Sequence, residues 1–290
     1  MPVSLQPMIV HLNGQFFPKE QARISPDDRG FLFADGAYEV VRAYRGHLFR
    51  AREHWERFDA SLQALRIARP ADLDYSALCT GLLQHNQLAD AEATVYLQIS
   101  RGAAARKHAF PTEVTPTVYG FAAPFANPVE KWAAGVKVIT VPDQRWARCD
   151  IKSISLLPNV LANQLAQEAG AHEAVLVRDG FALEGSLSNF AVVMDGVLRT
   201  APRSNYILPG VTRLVALGLC AAMGIPVREF PAAESELRCA QEAMLFGTTN
   251  EVMPVVQIND RKVGDGQPGP ITRQLQQAFR DYVAECQRRG

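Results

Sequence analysis

Covalent amine chemistry needs a lysine held away from water, and the chain has few lysines to choose from: Lys19, Lys107, Lys131, Lys137, Lys152 and Lys262. Lys19 and Lys131 stand beside glutamates in polar text, and Lys262 follows an IND turn, so these read as solvated charges. Lys137 alternates with Val136, Val138 and Ile139 and can face water on a strand. Lys152 differs, because its setting, CDIKSISLLPNVLA, is apolar and runs straight into a helical pattern. Desolvation disfavours an ammonium ion and so favours the free amine that imine formation requires. The ordinary alternative is a lysine that snorkels to solvent or pairs with Asp150, and structural lysines outnumber catalytic ones.

Anion-binding groups are present as well. In Leu208-Pro-Gly-Val-Thr-Arg a loop enters a helix, which leaves backbone N–H groups and the Thr212 hydroxyl free to meet an anion. The run Gly247-Thr248-Thr249-Asn250 is a second small, hydroxyl-rich loop. Arg57 lies off the apolar stripe of its helix and offers a fork of donors to a phosphate. Glu184, in ALEGSLSNF, could partner a ring nitrogen, and Arg106 with His108 in RKHAFP could form a cationic pocket for a carboxylate. Taken singly, each has a plainer alternative: a capped helix, a polar loop, a surface arginine, a turn glutamate, a structural histidine.

Elements that would position these residues can be read from periodicity. Asn13-Gly14 between MIVHL and QFF signals a hairpin, and a second runs through residues 38–44, turns at Arg45-Gly46 and returns as HLF. Trp55, Phe58, Leu62 and Leu65 recur at helical spacing, so residues 54–68 are expected as an amphipathic helix. Further helices are expected over 75–86, 157–170, 211–224 and 271–288, with strands at 93–100 and from 136 onward. Asp179-Gly180 and Asp195-Gly196 mark two more turns. The stretch FAAPFANPVEKW, with two prolines and no period, is the linker candidate. The expected organisation is therefore a domain over 1–120, a linker over 121–135 and a second domain over 136–290, both α/β with much antiparallel sheet.

Bulk properties narrow the partners. Of the 290 residues 48% are hydrophobic and 21% charged, which suits a protein with a buried core, and basic and acidic residues balance at 30 each. With no basic block, nucleic acid and anionic membrane are not expected, and a small-molecule substrate is. The cysteines at 79, 149, 220, 239 and 286 are scattered without a CxxC pair, which implies reduced thiols, no zinc site and a cytoplasmic location. The start, MPVSLQPMIVHLNG, lacks a basic and apolar leader, and the longest apolar stretch, 214–225, is too short to span a bilayer. Residue reading alone thus reaches an α/β protein with an anion-friendly site, and no reaction.

Six phrases in order carry the reading further: DRGFLFADGAYEVVRAYRG, RGAAARKHAFP, RWARCDIKSISLL, EGSLSNF, ILPGVTR and GTTNEVMPV. Together they resemble the D-amino acid aminotransferases, within the fold-type IV pyridoxal 5'-phosphate (PLP) enzymes that also include branched-chain aminotransferases. The resemblance covers nearly the whole chain. It implies a two-domain fold-type IV structure, with mostly antiparallel sheets and flanking helices, and a homodimer. It also implies exchange of an amino group between a D-amino acid and a 2-oxo acid. Position by position, it casts Lys152 as the Schiff-base lysine and general base, and Glu184 as partner of the pyridine nitrogen. Arg57, Val211, Thr212 and Thr248 match the phosphate-binding positions, and Leu208 the residue packed on the ring. Tyr38, Arg106 and His108 match the group that traps the substrate α-carboxylate, the last two lent by the neighbouring subunit. The Arg-x-His pair leans the resemblance toward D-amino acids. Leu187 departs from it, standing where those enzymes usually carry Ser. Alternatives are a branched-chain L-aminotransferase, an (R)-amine transaminase, a lyase acting on aminodeoxychorismate, or a non-catalytic binding protein on the same scaffold.

Overall fold

A computed structural model describes residues 8–289, which fall into two compact units. Residues 1–7, where the leader-free start was expected, lie outside the described residues. The first unit runs to Asn127 and takes in Ile151–Ser155; the second holds Pro128–Asp150 and Leu156–Arg289.

The first unit contains β1 (Ile9–Leu12), β2 (Gln15–Pro18), α1 (Arg29–Phe33), β3 (Gly36–Tyr44), β4 (His47–Leu48), α2 (Ala51–Leu65), α3 (Tyr75–His85), β5 (Ala93–Ser100) and β6 (Thr117–Pro124). Its six strands form one sheet in the order β2-β1-β6-β5-β3-β4, antiparallel throughout. Strict alternation along β5 sends Ala93, Val95, Leu97 and Ile99 to one face. There they share a core with Phe58 and Leu62 of α2 and Leu78 and Leu82 of α3, the positions that recur at three and four. Helix α2 begins three residues before the expected start, because its first turn, Ala51-Arg-Glu, carries no apolar mark.

The second unit contains α4 (Val129–Ala134), β7 (Val136–Pro142), α5 (Leu157–Glu168), β8 (Glu173–Arg178), β9 (Phe181–Gly185), β10 (Asn189–Met194), β11 (Val197–Thr200), α6 (Val211–Ala222), β12 (Val227–Glu229), β13 (Glu242–Gly247), β14 (Glu251–Ile258), β15 (Arg261–Lys262) and α7 (Pro270–Arg289). Its sheet is mixed, with parallel pairs at β7–β8, β7–β14 and β11–β12. Strand β9 pairs with both β8 and β10, the latter through Glu184 and Asn189, so the path β10-β13-β14-β7-β8-β9 closes on itself. Strand β10 is buried along its whole length, and β8, β13 and β14 are buried over runs of four or five residues, on both faces of the sheet.

Four two-residue turns, at Asn13-Gly14, Arg45-Gly46, Asp179-Gly180 and Asp195-Gly196, have positive φ at both residues. That twist matches antiparallel strands. The expected linker, 121–135, is mostly structured: residues 121–124 complete β6 and 129–134 form α4. The prolines sit at the end of the strand and just before the helix, where a missing N–H costs nothing. None of the helices among the described residues is long and apolar enough to cross a membrane.

Candidate active site

Lys152 lies in the segment Ile151–Ser155, laid against the start of β3. Its carbonyl accepts from the Tyr38 N–H at 3.0 Å, its N–H donates to Ser61 Oγ at 3.1 Å, and the Ile154 N–H donates to Gly36 O at 3.1 Å. Backbone this well tied fixes the Cα–Cβ direction of the lysine. Its Nζ stands 4.2 Å from the centroid of the Tyr38 ring, which is stacked on Tyr96. Within its own unit, and among the described residues, the amine has no hydrogen bond or ion pair. The side chain is half-buried, less enclosed than its apolar neighbours imply. The segment is short, and only Ile151 and Ser153 turn fully inward.

Behind it lies a cluster the sequence did not announce. Glu39 is on the core face of β3, in register with Ala37 and Val41, and is fully buried. Its carboxylate takes His54 Nδ1 in a close contact, and Arg57 through Nε at 3.1 Å and Nη2 at 2.7 and 3.0 Å. Burial alone would raise the Glu39 pKa. Arg57 first, then His54 and Lys152, outweigh it and hold the group below the usual carboxylate range. Burial pushes His54 the other way, toward the neutral imidazole, against the pull of Glu39. Arg57 is therefore not a surface fork off the stripe. It is only 9% exposed, three residues on from His54, and turned onto Glu39, because a buried carboxylate without a partner would be very costly.

Arg106 and His108 sit in an irregular, exposed loop of the same unit, brought together around one ring. The Arg106 guanidinium lies 5.2 Å and the His108 ring 5.5 Å from the centre of Phe33, in α1.

In the second unit, Glu184 is the penultimate residue of β9 and is 3% exposed. It pairs closely with Arg145 Nη1 and accepts from Asn189 Nδ2 at 2.9 Å and from the Leu208 N–H at 3.0 and 3.2 Å. Arg145 is shared with Asp143, whose carboxylate it grips through Nε and Nη2 at 2.9 Å. Burial raises the Glu184 pKa, and Arg145 and the Leu208 amide pull it back only part of the way, to about 7. A carboxyl in that range can hold or release a proton near neutrality.

Asn189 also donates to Leu208 O at 2.9 Å, so Glu184 and the loop before α6 are joined at two points. Helix α6 begins at Val211 after Gly210, with no side chain capping it. A Cβ on Gly210 would fall 1.9 Å from Asn189 Oδ1, so only glycine lets that loop lie against Asn189. Val211 and Thr212 are both buried at the helix start. Thr248 lies in the turn joining β13 and β14, and the adjacent Asn250 holds that turn through Glu173 at 3.2 Å. Glu173, fully buried, accepts from the Leu187 and Ser188 amides at 2.6 and 3.0 Å and from Ser188 Oγ. Burial raises its pKa, only partly offset by those donors. The Leu187 side chain itself is 71% exposed.

Comparison with known proteins gives this arrangement a family. Residues 36–258 match the family model described as amino-transferase class IV. The D-alanine aminotransferase of Staphylococcus epidermidis is 41% identical over 280 residues, covering 94% of this chain and 97% of that protein. That of Bacillus licheniformis is 39% identical over 281 residues, covering 95% and 97%. The chain belongs to the class IV aminotransferases. Among solved structures, a T.th. branched-chain amino acid aminotransferase with pyridoxamine 5'-phosphate superposes with a TM-score of 0.85 at 26% identity, covering 96% of this chain and 95% of that one. The Escherichia coli branched-chain enzyme gives 0.84 at 26%, covering 94% and 93%.

The residues of this class IV aminotransferase fit a phosphorylated pyridine aldehyde. Each unit supplies donors suited to such a group: the first an amine that, among the described residues, has no hydrogen bond or ion pair within its unit, the second a carboxyl whose pKa burial raises to about 7 and an uncapped helix start that carries Thr212. Of the residues singled out in the sequence, the structure brings together Tyr38 with Lys152, Arg106 with His108, and Glu184 with Leu208. Sequence reasoning missed Glu39, His54, Asn189, Arg145 and Glu173. Only His54 left a signal, three residues before Arg57 on one helix face.

Proposed function

We propose that this chain is a PLP-dependent aminotransferase that moves the amino group of a D-amino acid, with D-alanine as the model donor, to a 2-oxo acid. The observation that carries the reading is the Lys152 amine: its backbone is held by β3 and α2, and its Nζ is uncommitted within its unit. The D-alanine enzymes of two genera, near 40% identical over almost the full length, support the substrate class. The likeness to branched-chain enzymes stands at 26% identity.

In this proposal Lys152 would hold the coenzyme through its Nζ. The backbone N–H groups of Val211 and Thr212, the Thr212 and Thr248 hydroxyls and the Arg57 guanidinium, which Glu39 orients, would hold its phosphate. Leu208 would pack on the ring, and Glu184 would face the ring nitrogen as its proton-sharing partner. When bound, the coenzyme supplies an electron sink for the pair released as the substrate's α-C–H bond breaks. The freed Lys152 Nζ takes that proton and later returns it, as a general base and then a general acid. Glu39, kept anionic, lies behind Lys152 as a fixed negative charge. Tyr38, Arg106 and His108 hold the substrate carboxylate and so set which face of the α-carbon meets the amine. A homodimer, in which the partner lends Arg106 and His108, and a cytoplasmic location with reduced cysteines belong to the same proposal.

A donor panel with 2-oxoglutarate as fixed acceptor tests it. D-alanine should far outrun L-leucine and (R)-1-phenylethylamine. Arg106→Ala should lower kcat/KM for D-alanine by roughly 1.5–3 kcal/mol, the worth of a charge-assisted hydrogen bond. Faster turnover of L-leucine than of D-alanine would reject the substrate class, and unchanged kinetics in the variant would reject the role of Arg106.

A further inference from the structure

The loop that carries Arg106 and His108 has almost no regular structure, and residues 105–110 are all exposed. Three adjacent cationic or polar side chains on such a loop would spread apart unless something fixed its backbone. Two buried arginines do this. Arg29, 3% exposed, donates from Nη1 to Lys107 O at 2.6 Å, with Nη2 turned toward His108 O at 3.5 Å. Its Nε is held by Asp35 at 2.8 Å. Arg101, 5% exposed, grips the same Asp35 through Nε at 2.7 Å and Nη2 at 2.9 Å. It also donates to the carbonyls of Leu65 and Arg66, at the end of α2, at 2.7 and 2.8 Å. The Phe110 ring closes the loop over Arg101, 3.6 Å from its guanidinium carbon. Phe33, which touches both Arg106 and His108, lies 4.7 Å from the guanidinium carbon of Arg29.

One carboxylate thus orients two guanidinium forks, and each fork directs its remaining donors to backbone carbonyls. Asp35 is held below its ordinary range: burial raises it, but the hydrogen bonds from Arg101 and Arg29 outweigh that, so the anchor stays charged. Arg29 Nε, Nη1 and Nη2 are directed to Asp35, Lys107 O and His108 O respectively. The reach of Arg29 is to the Lys107 and His108 carbonyls, on either side of the His108 Cα, and through that backbone to the Arg106 and His108 side chains. We infer that Arg29, braced by Asp35 and Arg101, is a positioning residue that sets the geometry of the Arg106–His108 carboxylate pocket. This rests on the reading of Arg106 and His108 as that pocket.

The test uses the holoenzyme. Arg29→Gln should raise KM for D-alanine roughly tenfold, the scale of one lost charge-assisted contact, while kcat at saturation moves much less. Hydrogen exchange of the amides in 103–110 should quicken, and coenzyme absorbance should stay as in the parent. Combined with Arg106→Ala, it should add little further KM, because the two act as one unit. Should Arg29→Gln fail to fold, Arg29→Lys keeps the ion pair with Asp35 but gives up the fork to the loop, and should raise KM in the same way. A parental KM in the foldable Arg29 variant, with a raised KM in Arg106→Ala, would overturn this inference and leave the pocket reading intact. A parental KM in Arg106→Ala would overturn both. Unchanged exchange in 103–110 would overturn the positioning role even with a raised KM.

Discussion

Glu39 in the first unit and Glu184 in the second are both buried carboxyls, yet their pKa values shift in opposite directions. Glu39 faces the Arg57 guanidinium, His54 and the field of Lys152, and is held below the ordinary carboxylate range against its burial. Glu184 faces one guanidinium already shared with Asp143, plus amide donors, and rises to about 7. Desolvation is large at both sites. What decides the sign is how much positive charge is left uncommitted to other acids. The outcome gives each unit a different device: a carboxylate held below its usual range behind the Lys152 amine, and a carboxyl whose pKa of about 7 lets it exchange a proton near neutrality.

The sharpest way to disturb the comparison is Lys152→Ala, which takes a cation from the field of Glu39 and the base from the reaction. Loss of the proton transfer alone should lower multiple-turnover rates by roughly 10²–10⁴. Steady-state transamination of D-alanine checks it, and turnover near the parent's would remove Lys152 from the mechanism.

Next in size is Glu39→Ala. It leaves Arg57 and His54 buried without their carboxylate, and breaking one partner of a buried ion pair costs about 3–5 kcal/mol. Chemical denaturation should show the loss. A change within a few tenths of a kcal/mol would mean that water reaches the cluster and that the contrast with Glu184 is misdrawn.

The smallest effect is the most diagnostic of Glu184. Its folded-state pKa lies above its ordinary value, so the folded protein binds the extra proton between pH 4.5 and about 7. Stability from this group is therefore complete below 4.5 and is lost as pH rises through 7. Glu39 has the reverse sign: its contribution is present above the ordinary carboxylate range and is lost as pH falls through its lowered pKa. In coenzyme-free protein, Glu184→Gln should flatten the decline in stability between pH 4.5 and about 7 and leave the acid limb alone. An unaltered slope between those values would show that Glu184 is ionised throughout.

Much of the first unit was legible from the residues. Strand β5 has the expected limits, 93–100, and α3 starts where expected, because polar turns bracket runs of clear period. The closed sheet of the second unit was not legible. Strands such as β10 and β13 are buried on both faces, so they lack the alternation that marks a strand and its partner. The return of Ile151–Ser155 to the first unit is fixed by hydrogen bonds to β3 and Ser61 that leave no trace in the local sequence. At the site, Lys152 and the Gly210–Thr212 helix start could be singled out by type and setting. Glu39 could not, since an acid on the inward face of a strand violates the pattern that identifies the strand. Its partners His54 and Arg57 explain the violation only once α2 is packed on β3. Asn189 and Arg145 meet Glu184 by folding alone.

Covalent attachment of the coenzyme at one amine is the claim on which the proposed chemistry turns. Borohydride reduction of the PLP-loaded protein, followed by proteolysis and mass spectrometry, should place a single stable phosphopyridoxyl group on Lys152. A reduced protein carrying that group on another lysine, with the peptide containing residue 152 unmodified, would contradict the assignment.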